Sequence, residues 1–121
     1  MTREKLLGAF GEAAAADFLR KKRYEILGMN YRCREGELDI IARREKTVVF
    51  VEVKLRREGG YASAAEAVTP QKQKKLLLAA EAWLVENDMT DAECRFDVVE
   101  VYLARVGSRV LRINQIEEAF Q

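Results

Sequence analysis

Three charged residues open the chemical reading of this chain of 121 residues: Asp39, Glu52 and Lys54. Glu52-Val53-Lys54 closes the strongly β-forming run Val48-Val49-Phe50-Val51, and Gly36-Glu37-Leu38-Asp39 lies a hairpin's length upstream. Side chains two apart on a strand project from one face, roughly 6 to 7 Å apart along it. A carboxylate and an amine ending an apolar strand, with Asp39 placed to join them, make a divalent-metal site with a lysine beside it. Such a site suits hydrolysis of a nucleic-acid phosphodiester, which needs a cation to neutralise developing charge and to lower the pKa of an attacking water. Asp39 and Glu52 would supply carboxylate ligands and Val53 its carbonyl. Lys54 would act as a base or as an electrostatic anchor for the water or the phosphoryl oxygens. The competing reading is a strand-end Glu–Lys pair with Asp39 on the flank of a turn.

The chain contains no histidine. That excludes Ser-His-Asp and Cys-His catalysis, histidine-based zinc motifs and a histidine general base. A hydrolase built from these residues must use carboxylates, lysine and a hard ion, Mg²⁺ or Mn²⁺. Cys33 and Cys94 are too few for a disulfide scaffold and lack metal-ligand spacing, so they read as reduced, mostly buried thiols. No apolar run approaches the roughly 18 residues of a membrane span, and the charged N-terminus has no signal-peptide core. A cytoplasmic protein of one domain, residues 1–121, is expected, with no membrane association.

Net charge is +1, but residues 1–75 carry 17 Lys/Arg against 11 Asp/Glu, and residues 76–121 carry 4 against 9. The candidate site lies in the basic part, where a polyanion would be drawn. Arg32, Arg56, Gln71, Lys72 and Lys75 are the candidate phosphate contacts. Tyr24, Tyr31 and Trp83 are scattered and offer no stacking platform, so contact with the DNA backbone is indicated rather than with bases. The acidic C-terminal part does not suit DNA wrapping and leaves room for a protein partner.

The elements that must position these residues follow from periodicity. Residues 4–22 read as a helix with a Leu7/Phe10/Ala14/Phe18 stripe and a second face of Gly8, Glu12, Ala15, Ala16 and Leu19. Residues 24–33 alternate as a strand, and Arg34-Glu35-Gly36 makes a turn in which Gly36 can take a positive φ. Residues 37–42 and 47–55 form two further strands about a four-residue turn. In that register Ala42 pairs with Thr47, Asp39 lies opposite Phe50, and Asp39 shares the face of Glu52 and Lys54. A slip of one residue would send Asp39 to the other face. A loop with a short helical piece at 62–67 leads to Thr69-Pro70, an N-cap and N1 pair. The helix they start runs to about residue 86 and buries Leu76, Leu77, Ala80, Trp83 and Leu84. Strands at 94–103 and 109–113 and a short helix at 115–120 close the chain. The expected fold is α/β, order α-β-β-β-α-β-β, with a mixed central β-sheet flanked by helices.

Other charged residues leave alternatives open. Glu37 is a further ligand, a water-mediated one, or a surface acid. Glu12, framed by small residues, caps a network or reaches the outer shell of the metal. Arg95 and Asp97 are an ion pair supporting the site or an exposed strand face. Free N–H groups at the start of the second helix favour a phosphate near Gln71 and Lys72.

The sequence resembles the small bacterial proteins of the UPF0102, or YraN, family, which are similar to archaeal Holliday junction resolvases. The marks are Gly8-x-x-Gly11-Glu12-x-x-Ala15, Asn30-Tyr31-Arg32, Gly36-Glu37-Leu38-Asp39-Ile40-Ile41-Ala42 and Val51-Glu52-Val53-Lys54-x-Arg56. Ala65-Glu66-Ala67-Val68, Gln71-Lys72 and Arg95-Phe96-Asp97-Val98-Val99 follow in order. The resemblance implies the restriction-endonuclease-like fold and its Asp, Glu-x-Lys pattern on Asp39, Glu52 and Lys54. It puts the helix acid on Glu12 and the later helix's lysine or glutamine on Gln71 or Lys72. Leu55 stands where many relatives have Thr or another polar residue. The implied activity is a Mg²⁺- or Mn²⁺-dependent endonuclease acting on DNA, with branched Holliday-type junctions as candidate substrates. A resolvase would be a symmetric homodimer. The alternative is a nucleic-acid-binding protein that keeps the fold with little or no turnover.

Overall fold

The computed structural model of the chain describes residues 2–59 and 68–120. Its elements run α1 (Arg3–Lys21), β1 (Glu25–Arg32), β2 (Glu37–Arg44), β3 (Thr47–Arg57), α2 (Pro70–Glu86), β4 (Glu93–Leu103) and β5 (Val110–Phe120). The order is the expected one, and the five strands form a single mixed sheet in the spatial order β1-β2-β3-β4-β5. Neighbouring strands are antiparallel except β3 and β4, which pair in parallel across the α2 connection. The helical piece expected at 62–67 lies outside the described residues.

A helix covers each face of the sheet. Thr2 starts α1 by accepting the Lys5 N–H at 3.2 Å. The small-residue face of α1 is the one that packs: Gly11, Ala15, Ala16 and Leu19 are buried against Ile40, Ala42, Val49, Val51 and Val99. Leu7, Ala14 and Phe18 are only partly buried at the margin, and Phe10 is 39% exposed. Small side chains win the contact because they let the backbone approach. A Cβ on Gly11 would stand 2.9 Å from Leu55 Cδ1. On the other face α2 buries Leu76, Ala79, Ala80 and Trp83 over Leu38, Ile41, Val48 and Phe50. Phe50 meets Trp83 edge-on at 6.1 Å and stacks on Phe96 at 5.4 Å. Leu77, expected inside, flanks this stripe and is exposed.

The structure departs from the sequence reading in several places. The β2–β3 turn has two residues, Glu45-Lys46, because Arg43 and Arg44 continue β2 and pair with Val48 and Thr47. Glu45 takes φ 56 to close it. The register is therefore displaced by two residues, which preserves faces. Gly36 does not take a positive φ. Its turn is closed by Cys33 N–H to Gly36 C=O at 2.9 Å and the reverse bond at 3.3 Å. Residues 115–120 are strand, not helix. Tertiary contacts decide this: Phe120 pairs with Phe96 and Ile116 with Val98, while Asp97 Oδ1 accepts the Glu118 N–H at 3.1 Å. Cys94 is exposed at the entry to β4, and Cys33 is half-buried.

Candidate functional site

The site forms where β2 parts from β3. Their ladder ends at Ile40↔Val51, and continuing it places Asp39 level with Glu52 rather than Phe50. The strand alternation breaks at this point: Leu38 packs in the cluster under α2, Ile40 in the cluster under α1. On β1, Met29 and Tyr31 divide between the same two clusters, and Asn30 between them has φ 54. Asparagine tolerates that left-handed geometry better than most residues. In place of a backbone acceptor, Asp39 Oδ2 accepts the Val53 N–H at 2.8 Å. N–H and C=O of one strand residue leave the same edge, so the Val53 carbonyl faces the same gap.

Two carboxyl groups and two amines meet there. Glu52 is 6% exposed, and its Oε2 lies 2.6 Å from the Lys72 Nζ. Burial, followed by the hydrogen bond and negative charge of Glu52, pushes Asp39 up to about 8. Glu52 is held below its ordinary value; burial opposes this, but the proton of Asp39 and the ammoniums of Lys72 and Lys54 outweigh it. Burial and mutual repulsion thus favour one proton shared by the pair at neutral pH. Burial and the positive charge of Lys72 lower Lys54, against the attraction of Glu52. Lys72 loses stabilisation by burial but is raised on balance by Glu52 and Asp39.

Asp39, Glu52 and Lys72 open into a cleft of about 390 Å³ lined also by Gly36, Glu37, Thr69, Gln71, Lys75 and Leu76, and Lys54 is not among its lining residues. The first turn of α2 forms one wall. Thr69 Oγ1 accepts the Lys72 N–H at 3.2 Å and Thr69 C=O the Gln73 N–H at 2.8 Å, while Pro70 has no N–H to offer. The expected array of free N–H groups is thus largely satisfied by Thr69, and side chains dominate this wall.

The other sequence candidates divide. Glu12 stands behind the gap: it accepts a hydrogen bond from Asn30 and feels the charges of Glu37 and Glu52, and burial raises its pKa. It does not line the cleft. Glu37 is at the rim, 3.5 Å from Arg32 in an exposed ion pair. Arg56 is drawn to β4, where its Nε lies 3.2 Å from Glu100 Oε2 in a mostly buried pair. Arg95 and Asp97 form the ion pair rather than an exposed strand face, and the partners it gathers lie on β5 and at Tyr24. Asp97 is fully buried and accepts from Arg95 Nε at 2.9 Å, Arg95 Nη2 at 3.0 Å and Gln115 Nε2 at 2.9 Å. This network fastens β5 and Tyr24 to β4. The pairing of Lys72 with Glu52 and the kink at Asn30 escaped the sequence reading. The signal for the first was a lysine in the first turn of a helix, where the dipole disfavours it.

Among the described residues no helix is long and apolar enough to cross a membrane. Comparison with known proteins gives a consistent relationship. Residues 11–101 match the family model described as "Uncharacterised protein family UPF0102". A UPF0102 protein of Geobacter sulfurreducens is 47% identical over 117 residues, covering 97% of this chain and 90% of its own. One from Caldicellulosiruptor saccharolyticus is 47% identical over 114 residues, covering 94% and 96%. One from Pelotomaculum thermopropionicum is 45% identical over 116 residues, covering 96% of each chain. The Gly11–Glu12 helix, the Asp39 hairpin and the Glu52-Val53-Lys54 strand all fall within the matched region, and the chain belongs to family UPF0102.

Proposed function

We propose that this protein is a divalent-cation-dependent endonuclease that hydrolyses DNA phosphodiester bonds, with branched junctions among its substrates. The observation that carries the proposal is the meeting of Asp39 and Glu52 in the gap between β2 and β3, at the floor of a cleft walled by Gln71, Lys72 and Lys75. The donor set fits a hard ion. Two carboxylates confined together share a proton, and buried Glu52 Oε2 faces an ammonium. A cation would relieve both. Among the described residues no three Asp, Glu or Cys side chains gather, so the protein ligands would be Asp39, Glu52 and the Val53 carbonyl. Mg²⁺ or Mn²⁺ there would supply charge neutralisation at the phosphoryl group and lower the pKa of the attacking water.

The remaining work falls to the chain's own groups. Lys54 is half-buried near Glu52, with the like charge of Lys72 close by; it orients the water or a phosphoryl oxygen. Lys75 and Gln71 hold the flanking backbone at the cleft wall. A Cβ added at Gly36 would lie 3.5 Å from the Lys75 Cβ, so the turn before β2 and this wall stand close together. Asp39, through its bond from the Val53 N–H, keeps β2 and β3 apart at the distance the gap requires. Glu12 acts through Asn30, which shapes β1 beside the gap.

The test is Mn²⁺-dependent cleavage of a four-way junction beside linear duplex and flapped DNA, with Glu52→Ala as control. Cleavage by the wild type that the variant lacks supports the proposal. Binding to these DNAs with no cleavage of any would overturn it in favour of a nucleic-acid-binding protein that retains the fold.

A further inference from the structure

The contact between Lys72 and Glu52 joins two groups of unlike mobility. Glu52 is buried on the sheet, whereas the Lys72 side chain is 46% exposed and reaches down from the first turn of α2. Lys75 lines the same cleft one turn along the helix and forms no ion pair among the described residues. Lys72 therefore spans the cleft from wall to floor, and its ammonium sits on the oxygen that a cation would need. Its four-carbon stem leaves it free to turn toward the open cleft without moving α2.

We infer that Lys72 is a displaceable counter-ion: it holds Glu52 until a phosphate in the cleft draws it away, so that the cation and the DNA load together. This rests on the metal-site reading given above and adds a role for one side chain within it. An ammonium and a divalent cation on one carboxylate repel each other, and a cation that takes Glu52 Oε2 displaces Lys72 from it. A phosphodiester is the group suited to receive it, being anionic and rich in acceptors. Linkage then requires reciprocity: whatever withdraws Lys72 from Glu52 favours the cation, and a bound cation leaves Lys72 available to the phosphate. A protein built this way binds little metal by itself and assembles its complete site on its substrate.

The measurement is Mn²⁺ binding, by electron paramagnetic resonance of the free ion, to the wild type, Lys72→Met and Lys75→Met in the absence of nucleic acid. Lys72→Met should bind Mn²⁺ tighter than the wild type by about fivefold to tenfold, a free-energy change of about 1 to 1.4 kcal/mol. Lys75→Met removes the same charge from the same cleft without touching Glu52, and should change affinity by about twofold or less. Circular dichroism confirms that each variant is folded, and Lys72→Gln replaces Lys72→Met if it is not. Unchanged or weaker binding to the Lys72 variant overturns the counter-ion role while leaving the metal site standing. Equal tightening by both lysine variants overturns it as well, since the effect would then be general electrostatics. Mn²⁺ binding to none of the three proteins overturns the metal site itself, and the counter-ion role with it.

Discussion

Asp39→Asn should stabilise the protein, and by an amount that grows with pH. Asp39 has a pKa of about 8 in the fold against an ordinary 3.8. Between those values the folded protein holds a proton that the unfolded chain has released, so wild-type stability falls as pH rises through the window. The limiting slope is about 1.4 kcal/mol per pH unit, which amounts to about 4 kcal/mol by pH 7. Part of this returns through Glu52, whose depressed pKa works in the opposite sense at lower pH, as stability lost when it protonates. Asparagine keeps an oxygen for the Val53 N–H and an N–H for Glu52, so packing and hydrogen bonding change little. We therefore expect Asp39→Asn to be more stable than wild type at neutral pH, by at most the linkage limit of about 4 kcal/mol. The difference should shrink toward zero near pH 4 and level off above about pH 8, where both states of the wild type are ionised. Urea unfolding of both proteins across that range, with a chelator present, measures it. A difference that does not vary with pH would refute the shared proton, and with it the claim that the two carboxyl groups are forced together.

Lys54→Met should leave DNA affinity near the wild-type value and abolish cleavage; gel-shift and cleavage assays on one preparation separate the two, and equal cleavage would remove Lys54 from the mechanism. Lys75→Ala should flatten the log–log dependence of DNA affinity on salt by about 0.9 for duplex DNA, and an unchanged slope would place the backbone elsewhere. Asp97→Ala should cost about 3 kcal/mol, because it leaves a mostly buried Arg95 guanidinium with only the exposed Glu117 carboxylate and the Tyr24 hydroxyl as partners, while Mn²⁺ binding stays the same; lost Mn²⁺ binding at unchanged urea midpoint would overturn the structural role.

Periodicity and capping made most of the architecture legible before the structure. Thr69-Pro70 located α2, and the β-branched run before Glu52 located β3. Asp39 was brought beside Glu52 from an incorrect turn, because an error of two residues preserves the faces of the paired residues 40–44, although the break in alternation at Asp39 itself was not legible. Its level along the strand was not legible, since Arg43 and Arg44 look like turn residues and only pairing shows that they continue β2. Residues 115–120 misled for a related reason: Gln115, Glu117 and Glu118 favour a helix locally, and the bonds to Asp97 that hold them extended are distant in sequence. For the candidate site, residue types and spacing brought Asp39, Glu52, Lys54 and Lys72 into view. Which amine touches Glu52 depends on how deeply α2 seats over the sheet, a matter of packing among Leu76, Ala80 and Trp83 that no local pattern encodes.

The parallel pairing of β3 with β4 also has a consequence for synthesis. Thr47 pairs with Glu93 and Arg57 with Leu103, so β3 has an antiparallel partner on one side as soon as it emerges from the ribosome, but waits on the other until about a third of the chain more has been made. Until then Val48-Val49-Phe50-Val51 presents an apolar strand with an open edge, the kind of segment that joins strands of neighbouring chains. A fragment ending before Glu93 would hold every residue of the candidate site and still be expected to aggregate. Light scattering of such a fragment, compared with one extended through Leu103, would show whether β4 serves the chain before it mainly by covering that edge.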